Sequence, residues 1–142
     1  MRYLGLDLGS KTLGMAISDI TGIIATNLGT LYFKDENYSE LLPRIKEVVV
    51  VNEVNKIILG LPKNMDNSLG VRANITVEFK NMLEDYLGIE VIMQDERLTS
   101  VISNKVLISA DVSRKKRKKK VDGLAAVLIL QSYLDSNNRK EG

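Results

Sequence analysis

Histidine and cysteine are both absent from the 142 residues, and with them goes much of the common catalytic chemistry. A Ser-His-Asp triad, a thiol nucleophile and a zinc site built on imidazole or thiolate are all excluded. Disulfides are excluded too, which fits a reducing compartment. Tryptophan is missing, and aromatic residues are only 5% of the chain, so platforms for stacking bases are few. The longest clearly apolar tract, Leu124 to Leu130, falls far short of the ~20 residues that span a bilayer. Asp7 interrupts the N-terminal apolar run before a signal-peptide core can form. The expectation is a soluble, cytoplasmic protein with no membrane partner, whose chemistry rests on carboxylates, lysines or hydroxyls. Hard, oxygen-loving cations are the natural companions of such groups.

What is present suffices for a core. With 44% hydrophobic residues, a chain of this length buries roughly two-thirds of its unfolded surface and needs no disulfide or structural metal. One domain over residues 1–142 is expected, with a polar tail from about residue 136. Charge is distributed unevenly. Seven consecutive basic residues, Arg114 to Lys120, account for more than the whole excess: removing their seven charges takes the net from +2 to −5. Such a block reads either as a solvated loop or as a polyanion-binding patch.

The first third has the pattern of a three-strand meander. Tyr3 to Leu8, Thr12 to Ser18 and Ile23 to Leu31 are short apolar-rich runs separated by Gly9-Ser10-Lys11 and Thr21-Gly22. Asn37 with Glu40 forms a candidate capping box before a helix reaching about Asn52, with Pro43 near its start. Lys56 to Leu61 reads as a buried strand. Val71, Ile75, Phe79, Met82 and Tyr86 recur at helical spacing, and Gly88 is a helix stop. Glu90 to Gln94 is a further strand, and helices are expected over Leu98 to Ala110 and Asp122 to Leu134. A meander followed by α-β-α-β-α predicts an α/β fold, a five-stranded mixed sheet flanked by helices.

Three acidic residues sit against this pattern. Asp7 lies inside the first strand, where an unpaired carboxylate costs several kcal/mol and needs a cation, a hydrogen-bond network or an edge position. A turn around Gly9 could supply the hydrogen bonds. Glu96 follows a buried-looking strand, at the end where α/β sheets place ligand-binding groups; a solvated turn with a Glu96–Arg97 ion pair is the plainer reading. Asp122 stands where the basic run meets an apolar helix, and aspartate is a strong N-cap. If the three converge on one end of the sheet, their charges require neutralisation, and Mg²⁺ shared between carboxylates and substrate phosphates would provide it. Two such ions about 3.5 to 4 Å apart suit phosphodiester cleavage.

The stretches "LGLDLGSKTLGMAISD", "GLPKNMDNSLGVRA", "DERLTS" and "VDGLAAVLILQSYL" resemble, in order and spacing, the motifs of the YqgF family. Its members are assigned as Holliday junction resolvases and as nucleases processing the 5′ end of pre-16S ribosomal RNA. The four matches run from Leu4 to Leu134. The resemblance implies an RNase H-like fold with the Asp7 strand at its centre. It also implies an endonuclease dependent on Mg²⁺ or Mn²⁺, with Asp7, Glu96 and Asp122 as catalytic and metal-binding positions. Lys11, Lys63 and Arg97 match basic positions of the same motifs and become candidate phosphate contacts, joined by Arg114, Lys115, Lys116, Arg117 and Lys118 of the basic run. Partners would be pre-16S rRNA or branched DNA, met as a monomer or homodimer. The chain departs from the family at Thr12-Leu13, where Arg-Ile is common, and at Asn67, where glycine is usual. Related resolvases also carry an acid at the end of the fourth strand, where this chain has Leu61-Pro62.

Two other functions stay open on the sequence. The basic run alone would suffice for a non-catalytic RNA-binding or ribosome-assembly factor. The "DLGSKTLG" turn also resembles the phosphate loops of actin and sugar kinases, although those close two such domains around a nucleotide and this chain has room for one.

Overall fold

The computed structural model describes residues 1–9, 11–34, 37–61, 70–95 and 114–141, with 95, 114–123 and 138–141 described by backbone alone. Strands β1 (Tyr3–Leu8), β2 (Thr12–Ser18) and β3 (Ala25–Tyr32) form the meander. A 3-10 turn at Tyr38–Glu40 leads into α1 (Leu41–Val51), followed by β4 (Lys56–Leu61), α2 (Val71–Leu87), β5 (Val91–Asp95) and α3 (Arg114–Glu141). The sheet order is β3-β2-β1-β4-β5, so β1 is central. It pairs antiparallel with β2 and parallel with β4, which pairs parallel with β5. The expected five-stranded mixed sheet is therefore present, and β1, β4 and β5 all end at one edge.

Strand alternation decides which helix each residue meets. Leu4, Leu6 and Leu8 point into one cluster with Leu41 and Ile45 of α1 and Phe79 and Leu83 of α2. Tyr3, Ala16 and Ile58 belong to the other, with Ala126, Ile129, Leu130 and Leu134 of α3. At Gly5 the sheet and α3 come so close that an added Cβ would lie 2.7 Å from Leu130 Cβ and 3.1 Å from the Ala126 carbonyl oxygen. Glycine is required there by the neighbouring helix.

Several local expectations shift. β3 begins at Ala25, two residues later than expected, because Asp19 captures the residues before it. Its carboxylate accepts the Thr21 hydroxyl and the backbone N–H groups of Ile23 (2.9 Å) and Ile24 (3.0 Å). From α3, Gln131 donates to the Ile23 carbonyl and accepts the Ala25 N–H, tying this turn to the helix. The Asn37–Glu40 capping box does not form: no side chain caps either helix start, and Asn37 Nδ2 donates instead to Glu40 Oε2 at 3.2 Å. Helix α2 stops at Gly88 in the left-handed conformation as expected, but its buried face is Ala73, Thr76, Phe79 and Leu83. Val71 is 76% exposed and Tyr86 45%. Thr76 misled the pattern, since its hydroxyl donates back to the Arg72 carbonyl at 2.8 Å and so satisfies its own polarity inside an apolar stripe.

The largest correction concerns α3. It starts at Arg114 rather than Asp122, so the basic run is helix and not loop, and Asp122 is an interior helical residue and not an N-cap. Lysine and arginine are good helix formers, so the run extends the helix that was expected to begin after it. The helix expected over 98–110 lies outside the described residues.

The Asp19 turn has a testable pH signature. Hydrogen bonds, first from the Ile24 N–H, then from the Thr21 hydroxyl and the Ile23 N–H, hold its carboxyl well below the usual carboxylate range. A carboxyl depressed by folding stabilises fully above its unfolded pKa of about 3.9 and loses that contribution as pH falls toward the folded value. Asp19→Asn should therefore melt below the wild type at pH 7, and the gap should close in strong acid. Melting curves followed by circular dichroism at several pH values check this; a gap that stays constant into acid contradicts it.

Candidate active site

On the α3 side of the sheet the rows change character within two residues. Gly5 is registered with Ala16 and Ile58, and Ile58 with Ile92; this row is apolar and packed against α3. Asp7 comes next along β1 on the same side. It is registered with Gly14 of β2, while Gly60 follows Leu59, the partner of Leu6, and is itself registered with Gln94. Asp7 is thus a half-buried carboxylate in the central strand, with a glycine beside it on each neighbouring strand. The positive-φ glycines among the described residues are Gly22, Gly29 and Gly88, so backbone conformation does not require glycine at 14 or 60. What these two positions omit is a side chain, and both glycines are themselves buried.

Helix α3 runs antiparallel to β1. The Tyr133 ring meets Tyr3 edge-on at 5.8 Å between centroids, and Leu130 and Ala126 lie over Gly5. Continuing toward the helix N-terminus, the backbone of Asp122 lies one turn before Ala126, in the direction in which β1 proceeds from Gly5 to Asp7. Glu96 is the residue after Asp95, the last of β5, and lies outside the described residues, as do Lys63 and Arg97. Lys11 is exposed in the β1–β2 turn, which the Gly9 N–H closes onto the Thr12 carbonyl (2.7 Å) and the Phe33 N–H anchors at the Lys11 carbonyl (3.0 Å). Arg114, Lys115, Lys116, Arg117 and Lys118 occupy the first turns of α3.

Arg72 was given no role by sequence reasoning, although it stands in the quoted "GVRA". It is half-buried at the start of α2 and donates through Nη2 to the Leu8 carbonyl (3.0 Å) and through Nη1 to the Tyr38 hydroxyl (3.4 Å). It therefore clamps the end of β1 one residue beyond Asp7. The motif was the available signal, since an arginine beside a strand end has carbonyls within reach. Arg72→Lys keeps the charge but loses the forked contact, and should cost about 1 kcal/mol in denaturant unfolding. Unchanged stability would remove the clamp.

Among the described residues no three acidic side chains come together. The donors that the chain can offer at this edge are oxygens, with neither imidazole nor thiolate available anywhere, and an oxygen donor set suits a hard divalent cation. A cavity of about 350 Å³ lined by Met1, Arg2, Ile20, Asn52, Glu53 and Asn55 lies at the opposite edge, near the start of β1.

Residues 1–136 match a family model described as RuvX, Holliday junction resolvase. A protein named "Putative pre-16S rRNA nuclease" from Listeria monocytogenes serotype 4b (strain CLIP80459) is 50% identical over 139 residues, covering 97% of this chain and 100% of the relative. One of the same name from Geobacillus sp. (strain WCH70) is 48% identical over 136 residues, covering 96% and 99%. Among solved structures, Thermus thermophilus RuvC in complex with a Holliday junction substrate superposes with a TM-score of 0.57 at 13% identity, over 96% of each chain. The fowlpox virus resolvase with Holliday junction DNA gives 0.58 at 15% identity, over 96% of this chain and 99% of that one. At these identities the two structures speak to fold alone, and they establish it as the RNase H-like fold of the resolvases.

Proposed function

The chain belongs to the RuvX family of Holliday junction resolvases, and from that premise we propose that it is an endonuclease that cleaves pre-16S rRNA with a divalent cation. The observation that carries this reading is the carboxylate of Asp7, half-buried in the central strand and flanked by glycines on both sides. A carboxylate at the C-terminal end of the central strand stands where α/β sheets place ligand-binding groups, and it is an oxygen donor suited to a hard cation. Asp7, Glu96 and Asp122 are proposed to hold Mg²⁺ or Mn²⁺. Bound there, the cation supplies Lewis-acid activation of water and stabilisation of the leaving oxygen.

The chain's own groups do the rest. Lys11, Lys63 and Arg97 would contact phosphates near the cleaved bond. Arg114 to Lys118 would hold the backbone further along, because seven like charges within two turns of one helix repel each other and a polyanion relieves that repulsion. Leu61 and Pro62 follow Gly60 where related resolvases carry an acid, so neither of these two positions would offer the cation a carboxylate.

Pre-16S rRNA is placed first because relatives of about half identity over nearly the full chain bear that name. Branched DNA is the second reading, favoured by the family model's own description; it calls for a homodimer presenting two sites, whereas the rRNA reading is satisfied by a monomer. A cleavage assay on both substrates with Mg²⁺ and with Mn²⁺ tests the proposal, with Asp7→Asn as control. Metal-dependent cutting of the rRNA precursor supports the first reading, and cutting of junctions alone supports the second. Binding to either without cutting would leave a ribosome-assembly factor.

A further inference from the structure

The geometry points to Gln94 as a further substrate-contacting residue beside Asp7, its amide donating to a non-bridging oxygen of the scissile phosphodiester. This inference rests on the nuclease reading above. Ile92 packs against the α3 cluster while Met93 packs against the opposite one, so alternation returns Gln94 to the α3 side. There it is registered with Gly60, the neighbour of Asp7 on β4. Neighbouring strands lie about 4.8 Å apart, so Asp7 and Gln94 stand about 10 Å apart across the buried backbone of Gly60. No side chain at position 60 intervenes.

The residue type fits a contact rather than a core. Below Gln94 on the same side of the sheet, β4 and β5 present Ile58 and Ile92, both packed into the α3 cluster. Extending that column would take another aliphatic residue; a half-buried amide there loses hydration that a hydrogen-bonding ligand can restore. Helix α3 packs mainly over β1, β2 and β3 and less over β4 and β5, so the Gln94 side of Asp7 is the less covered by that helix. An amide is also neutral across the working pH range. It can hold a phosphate oxygen without pairing with Asp7, as a lysine or arginine would.

Gln94→Met removes the amide at nearly constant length. It should lower kcat about tenfold to a hundredfold, with nucleic-acid Kd and Tm close to wild type. A sulfur in place of the contacted oxygen at the cleavage position should slow the wild type more than the variant, a difference that a merely structural role would not produce. Should the methionine variant not fold, Gln94→Glu retains the shape, loses the donor and is expected to fall by a similar factor. Wild-type kcat in the variants, or a loss of rate that follows a loss of Tm, overturns the assignment. Asp7→Asn separates the two levels of inference: if it still cuts, the nuclease reading of this site fails, whereas an inactive Asp7→Asn beside a fully active Gln94→Met sinks the Gln94 contact alone.

Discussion

Asp7→Asn is expected to reduce cleavage by about a thousandfold or more while the protein stays folded and binds its substrate nearly as before. The substitution keeps the size and planarity of the side chain, so the Gly14–Asp7–Gly60 row need not rearrange. What it removes is the negative charge that the proposed divalent cation would share, and preorganised electrostatic groups of this kind are commonly worth two to three orders of magnitude each (~10²–10³). Thermal stability should stay close to wild type, because the substitution is nearly isosteric. Single-turnover cleavage at saturating Mg²⁺ and a melting curve on the same preparation decide the matter. Equal rates for wild type and variant would remove Asp7 from catalysis, and a collapsed melting transition would show that its role is structural.

Gly5→Ala should be strongly destabilising for the addition of a single methyl group. The new Cβ would meet Leu130 Cβ at 2.7 Å and the Ala126 carbonyl oxygen at 3.1 Å. Neither atom lies at the end of a flexible side chain, so relief requires movement of α3 as a body. Overpacking of this kind costs about 1–3 kcal/mol, and contact with helix backbone argues for the upper part of that range. The displacement also reaches the proposed site, since Asp122 is one turn from Ala126 on the same helix. Cleavage should therefore fall even at temperatures where the variant is fully folded. Denaturant unfolding and cleavage measured together provide the check: unchanged stability would mean that α3 can shift freely, and lost stability with intact cleavage would separate the helix position from catalysis.

The sheet was legible in the sequence because its strands announce themselves locally. β1, β2 and β4 have the bounds that their apolar runs and flanking turns implied. Where side chains bond to nearby backbone, the pattern was less informative: Asp19 delays β3, and Thr76 hides within the buried stripe of α2. The start of α3 was misplaced for a related reason. Aspartate's preference for the N-cap placed the start at Asp122 and left the basic run as a loop, whereas the intrinsic helix preference of lysine and arginine carries the helix through it. Of the site, Asp7 was visible as a charge in an apolar strand. Gly14 and Gly60 lay in the quoted motifs, but their meaning depends on strand register, which pairs residues far apart in the chain and has no local signature. The same is true of Arg72, whose acceptor Leu8 is 64 residues away.

The 28 residues of α3 measure about 42 Å at 1.5 Å per residue, roughly twice the length of β1. Its anchored part, from Ala126 to Leu134, lies on the sheet, so the basic end is carried past the edge as one continuous rod. On the proposed reading that would make the helix a gauge, because seven residues of rise separate the backbones of Lys115 and Asp122 by about 10 Å. Inserting one residue between them would turn the basic end by about 100° around the rod, so a shifted cleavage position in that variant would tie the basic end to the choice of bond.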